Sequence, residues 1–416
     1  MLDSIRLPAL FILALVCCAP ATAAQPVSTP LVVRTQAEWR ALLASNQNTP
    51  LDALTPYGKQ VVTDMLSASF REDGLPSLPG GILVRELNRE ELRAVLVFLD
   101  SEAYFAMLER QLVGAPLRMP PPSAAVARDW RQLQDVLQSA DPASRSASAT
   151  TLASGASVNT YLTLFGDRMR EQRLRAQPPG DLLLLFDAAA FTNLVNPGSP
   201  AFAHLLRVHR ELARRGVDTR RTLDDTVLRA LVAARKFEEA RAFIATRAHL
   251  APAAVPQVVD TLGAAFAGRS VFDYDRAGHT LTRKELPVAA GAELVMVVDA
   301  HCQPSRRALE ALRSDAALRA RLQQAGLTII VPPAAAIPFG FVADWNAANP
   351  ALPMHIPFNQ REWAGVDVRG VPTFVLLKNG RVLNEVTGWP PEGNQAALRA
   401  LLDAFPVARE DAQWQH

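Results

Sequence analysis

Cysteine is scarce in this chain: there are three in 416 residues, and Cys17 and Cys18 are neighbours close to the start. Such a distribution cannot supply the disulfide framework on which small exported domains rely. Aromatic residues make up only 6%, which offers no stacking platform for nucleic-acid bases. Charge is balanced as well: 43 Lys+Arg against 41 Asp+Glu gives +2, too little to draw in nucleic acid or anionic lipid. There is no phosphate-binding glycine loop and no G-x-S-x-G elbow. The seven histidines are scattered, none at metal-ligand spacing from another or from Cys302. The sequence therefore predicts no cofactor, no metal site and no nucleic-acid partner.

What the chain does have starts at its N-terminus. "MLDSIRLPALFILALVCCAPATAAQP" combines Arg6, an apolar run from Leu7 to Cys18, and small residues before Gln25. The run is short for a membrane span and fits a secretory signal peptide over 1–24, cleaved after Ala24 or after Ala23. Two alternatives keep the chain at a membrane: retention of this segment as an anchor, or lipidation at Cys18. The expected location is periplasmic or secreted. Once 1–24 is removed, Cys302 is the one remaining thiol, and in an oxidising compartment it can form no disulfide within its own chain.

Residues 35–140 are predicted to be a helical domain. Thr35 with Glu38 and Asn88 with Glu91 have capping-box spacing, and Thr55-Pro56 opens another helix. "DPASRSASATTLASGASV" (141–158) is Ser/Ala-rich with little apolar periodicity and is predicted to be a flexible linker. Residues 159–268 are predicted to be a second helical domain. Within it, "TLDDTVLRALVAARKFEEARAFIATRAHLAP" has helical-hairpin spacing that resembles one tetratricopeptide-type unit, although ordinary antiparallel helices are the better reading, since no repeat accompanies it.

Near residue 270 the texture changes. "SVFDYDRAGHTLTRKE" alternates around a turn, and "ELVMVV" and "LTIIV" are continuous apolar runs of the kind found in strands covered on both faces. A long amphipathic helix is predicted between them, and a short edge segment at "ALPMHIPFN". "PTFVLLKNGRVLNEVTGW" predicts a hairpin turning at Asn379-Gly380, and a last helix follows.

That order, with "HCQPS" at the first strand-to-helix junction, resembles the thioredoxin superfamily over about 270–406. Three features carry the resemblance: Cys302 with Pro304 opening the helix, Val371-Pro372-Thr373 in "GVPTFVLLKNGRV" where the family has its cis-proline loop, and Gly388 after the last strand. The piece from Pro332 to Gly370 resembles the insertion of exported TlpA- and ResA-like thioredoxins. The expected class is thus α+β multidomain, an N-terminal all-α helical region followed by a thioredoxin-like α/β domain.

A thiol at a helix N-terminus faces unpaired N–H groups and the positive end of the helix dipole, which favour thiolate over thiol. Val371, Pro372 and Thr373 would offer a backbone edge to an extended peptide, with His301, Gln303 and Pro304 beside it. Ser305 stands where the family has its second cysteine, and dithiol exchange needs that resolving thiol. Met296 stands where the family often keeps a buried acid, and Asp299 is no clear substitute. Arg306 and Arg307 follow as solvated helix residues, with carboxylate binding as the alternative. Two functional readings stay open. In one, Cys302 forms mixed disulfides with an exported protein partner, a monothiol oxidoreductase- or isomerase-like activity. Alternatively, the fold is a redox-inert binding or assembly module of the cell envelope.

Overall fold

The computed structural model describes residues 31–45, 47–69, 78–138, 147–196, 198–250, 255–287, 292–300, 302–333, 337–363, 366 and 370–403. The segment 1–24 expected to be a signal peptide, with Cys17 and Cys18, lies outside the described residues, as does His301. No helix among the described residues is long and apolar enough to cross a membrane.

Helices α1 (Gln36–Ser45), α2 (Pro56–Ser69), α3 (Gly80–Glu86), α4 (Arg89–Phe98) and α5 (Phe105–Glu109) form a first unit. Both predicted capping boxes are present: the Glu38 amide donates to Thr35 Oγ1 while Glu38 Oε2 accepts from the Thr35 amide, and Asn88 and Glu91 exchange the same pair of bonds. Starting the helices in this way satisfies orphan N–H groups that would otherwise be left unpaired. Their apolar faces meet in one core containing Trp39, Val62, Leu83, Leu92 and Phe98, all 1% exposed or less.

The second unit comprises α6 (Ala124–Gln138), α7 (Ala147–Phe165), α8 (Glu171–Ala176), α9 (Pro179–Val195), α10 (Pro200–Arg214), α11 (Leu223–Ala233) and α12 (Phe237–Ala245). Two sequence expectations are corrected here. The linker expected over 141–158 is helical from Ala147 onward, in the same helix that buries Tyr161 and Phe165. Ser and Ala carry weak periodicity but are compatible with helix, so their composition hid the element. The boundary expected at 140 also moves: α6 buries Val126 and Leu133 in the core of Tyr161, Phe165 and Leu185, so it belongs to the second unit. Asp181 of α9 joins α6 from its start, accepting from the Ser123 amide and hydroxyl.

The two units meet at a polar seam. Arg85 donates both terminal nitrogens to Asp187, at 2.7 and 2.8 Å. Buried Arg221 donates to the Leu87 carbonyl at 2.8 Å. Burial, with the nearby Asp187 charge, pushes the Tyr57 hydroxyl up to about 12. A cleft of about 540 Å³ opens beside this seam, walled by Trp130, Phe191, Leu194 and Leu205.

The C-terminal part is one sheet with strands β1 (Gln257–Asp260), β2 (Ser270–Asp275), β3 (Thr280–Glu285), β4 (Ala292–Val297), β5 (Thr328–Ile330), β6 (Met354–Pro357), β7 (Thr373–Lys378) and β8 (Arg381–Thr387), in the order β1-β3-β2-β6-β5-β4-β7-β8. Helices α13 (Gln303–Ser314), α14 (Ala316–Gln324), α15 (Phe339–Ala348) and α16 (Gln395–Asp403) complete it. Strands β4, β5 and β6 run parallel, while β7 and β8 run antiparallel to their neighbours. A β4–helix–β5 crossover followed by the β7–β8 hairpin and a final helix is the thioredoxin-like core, and the α+β class expected from the sequence is what the chain adopts. The β4 side chains alternate between two buried faces, Leu294 and Met296 on one, Val295 and Val297 on the other, which is why its sequence reads as an unbroken apolar run.

Three details differ from the sequence reading. Strand β1 lies inside the span expected to be helical and pairs parallel with β3. Strand β6 is interior, between β2 and β5, where the sequence predicted an edge; its proline, Pro357, stands at the last position, where loss of a ladder donor costs least. The long helix after Cys302 breaks at Asp315, whose carboxylate caps α14 by accepting from the Leu318 amide at 2.9 Å.

Arg235, in the turn between α11 and α12, joins the helical region to the sheet. Its φ is +60, uncommon for a residue other than glycine. Its guanidinium donates to the carbonyls of Phe358 (3.1 Å), Pro333 (2.9 Å) and Pro357 (3.2 Å) at the C-terminal ends of β5 and β6. Burial lowers its pKa to about 9, which leaves it cationic at neutral pH. Phe237 meets Phe272 edge-on at 5.6 Å beside it, and Phe272 meets Phe358 at 5.4 Å.

Candidate functional site

The strand directions collect the sequence-predicted residues at one end of the sheet. The C-terminal end of β4 leads into Cys302, the N-terminal end of β7 follows Val371 and Pro372, and the C-terminal end of β8 leads into Gly388 and Trp389. Cys302 is the N-cap residue of α13, with extended φ and ψ of −84 and 115. Its amide donates to Asp299 O at 3.2 Å, and its carbonyl accepts from Arg306 N at 3.1 Å, closing the first helical turn. Pro304 sits in that turn, where its missing N–H removes no helical bond.

The half-buried Cys302 thiol lies 3.2 Å from the Val371 carbonyl oxygen and donates to it. The Val371–Pro372 peptide bond is cis. Pro372 is buried and accepts from Gly388 N at 2.8 Å, which ties the loop to the end of β8. Thr373 is also buried; its hydroxyl bonds to the Gly370 carbonyl and lies 3.0 Å from the Thr387 hydroxyl. Gly370 is required by close approach, because a Cβ there would lie 2.7 Å from Thr387 Cγ2.

Ser305 is fully buried, and its hydroxyl accepts from the Asp299 amide at 3.2 Å. Ser305 therefore helps to hold the loop that carries Cys302. Met296 is buried on β4 between β5 and β7, paired with Ile329 and Phe374. Gln303 is exposed at the rim, and Val371 and Pro304 are half-buried.

The arginines after the motif are better placed than the sequence indicated. A helical side chain leans toward the helix N-terminus. Arg306 does so, donating Nε to Ala300 O at 2.8 Å and so reaching back beyond Cys302. Arg307 donates Nη2 to Trp389 O at 2.9 Å on the side of the cis-proline loop. Trp389 is buried against Phe374, their ring centres 6.0 Å apart.

Another buried constellation lies in the second helical unit. Asp224, 1% exposed, accepts from His209 Nε2 at 2.6 Å and pairs with His249 Nε2 at 2.9 Å and Arg247 at 3.4 Å. It knits α10, α11 and the segment after α12 together. Among the described residues no group of histidine, cysteine and acidic side chains has metal-binding geometry.

No family model matches the chain, and no curated protein does. Among solved structures the chain is similar to a thioredoxin-like protein from Bacteroides caccae, at 13% identity over 70% of this chain and 99% of that one, with a TM-score of 0.22. A superposition that shallow carries no argument. The strand order and register above define the C-terminal part as thioredoxin-like.

Proposed function

We propose that this is an exported protein whose thioredoxin-like domain, of the TlpA/ResA-like kind that the insertion between β5 and β7 suggests, uses Cys302 to form mixed disulfides with exported protein partners. The observation that carries the reading is the 3.2 Å approach of the Cys302 thiol to the Val371 carbonyl at the mouth of the cis-proline loop. An extended segment pairing with the backbone beside Val371 would bring its own sulfur to the thiol.

The chemistry is thiol–disulfide exchange. Cys302 loses its proton to solvent and attacks one sulfur of a partner disulfide. A Cys302–sulfur bond forms, the partner's S–S bond breaks, and the departing sulfur leaves as a thiolate that takes up a proton. Ser305 cannot form a disulfide, so the adduct persists until an external thiol attacks it and restores Cys302. Release therefore depends on a thiol outside this chain, either the partner's own departing thiol or a third one.

The test is trapping in cells. Tagged full-length chain is expected to give mixed-disulfide bands on non-reducing gels that disappear with Cys302→Ser. Bands that survive this substitution, or their absence from the wild type, would favour a redox-inert binding module.

A further inference from the structure

Among the described residues many arginines are paired with carboxylates, including Arg85 with Asp187, Arg214 and Arg215 with Glu211, and Arg283 with Asp260 and Glu362. The two arginines beside the thiol are not. Among the described residues Arg306 and Arg307 bond only backbone carbonyls, those of Ala300 and Trp389. Each bond also locates its guanidinium. Ala300 lies on the strand side of Cys302, and Trp389 follows Gly388, whose amide bonds Pro372. The two cations thus flank the Cys302–Val371 mouth, one on the side of the β4 loop and one on the side of the β8 end. Arg307 Nε is buried with no partner of its own. The acids nearby are half-buried Asp299 in the β4 loop and exposed Glu392 beyond Trp389.

We propose that this site selects acidic partner segments: Arg306 and Arg307 engage aspartate or glutamate side chains on either side of the partner's reacting cysteine. The inference rests on the mixed-disulfide reading and specifies its substrate class. Guanidinium suits the task because it presents several fixed donors to a carboxylate and stays charged at every relevant pH. Opposite charges at a rim act chiefly by steering association and fixing register, so the preference is kinetic and sensitive to salt.

The test uses three extended peptides of equal length, each with one central cysteine as a mixed disulfide, flanked by aspartate, serine or lysine. The full-length protein is expected to take up the aspartate peptide about tenfold faster than the lysine peptide at low ionic strength, within the range of electrostatic steering. The ratio should fall toward one near 1 M salt, where the Debye length is about 3 Å. Arg306→Gln with Arg307→Gln should bring the aspartate-to-serine ratio to about one at low salt, and Arg306→Lys with Arg307→Lys should restore most of it. Equal rates for the three peptides with the wild type, or a preference that survives the double glutamine variant, overturns the proposal. The association rate of the same peptides in reduced form with a Cys302→Ser chain reads the charge preference with no site thiol present. Inert Cys302 together with that preference sinks only the mixed-disulfide reading. Equal association rates there sink the acidic selection whatever Cys302 does.

Discussion

Arg235 Nη2 donates to the Pro333 carbonyl at 2.9 Å across 98 positions of sequence, and this bond fastens a helical turn to the end of a strand in another layer. The same guanidinium holds the Phe358 and Pro357 carbonyls. Arg235→Ala would leave these acceptors facing a cavity, so it is expected to cost about 2–4 kcal/mol. Urea unfolding of the two proteins measures this, and a loss below roughly 0.5 kcal/mol, the scale of an ordinary surface change, would mean that the joint is held by the aromatic contacts alone.

The Arg85–Asp187 pair spans the seam between the two helical units with two bonds, at 2.7 and 2.8 Å. Both side chains are largely shielded from solvent, at 15% and 26% exposure. A double-mutant cycle with Arg85→Ala and Asp187→Ala is expected to return a coupling of roughly 1–2 kcal/mol. Additive single effects would show that the seam gains nothing from this pair.

Glu211 accepts from Arg214 and Arg215, and these bonds, Arg214's first, outweigh burial and hold its carboxyl down at about 2. A folded-state pKa below the unfolded value gives stability that is present above the unfolded value, about 4.3, and lost as pH falls through the folded one. Glu211→Gln should therefore be less stable than wild type at pH 7, by roughly 1–3 kcal/mol. The gap should narrow between about pH 4.5 and pH 2. Denaturant midpoints across that range test this, and a gap independent of pH would show that the lost packing, not the charge, matters.

Ser305 lies one turn into α13 from Cys302, on the same helix end. Ser305→Cys is expected to form a reversible disulfide with Cys302, because the Pro304-containing turn already sets the spacing of a dithiol motif. Mass spectrometry after mild oxidation should find residues 302 and 305 protected from alkylation together and freed together by a reductant. Two alkylatable thiols after oxidation would mean that the buried Ser305 position does not let its sulfur reach Cys302.

The site was legible where its signals are local. Pro304 after Cys302, the Val371-Pro372-Thr373 loop and the Asn379-Gly380 turn each occupy a few consecutive residues, and each implies a backbone geometry by itself. Other features depend on pairing between distant segments. Strand β6 is interior only because β2 covers its outer edge, and nothing in "MHIP" encodes that neighbour. The burial of Asp224 depends on His209 and His249, which lie on other elements. Arg306 and Arg307 looked like solvated helix residues because their backbone acceptors, Ala300 and Trp389, become visible only once the loop and the end of β8 are in place. Helix α7 was missed for a different reason, since a small-residue segment gives no periodic signal even when helical.

The apolar core of the second helical unit runs without interruption into the sheet, from Leu182 and Phe186 through Phe237 and Phe272 to Leu294 and Phe374. Excising the thioredoxin-like part near residue 255 would therefore strip a shared wall, leaving Phe272 and the Pro333 and Phe358 carbonyls facing water. Limited proteolysis is therefore expected to yield a resistant piece that keeps the second helical unit with the sheet, and not a free C-terminal domain. The thioredoxin-like part and the helices of the second unit share one interior, so neither can be moved without opening the other's core.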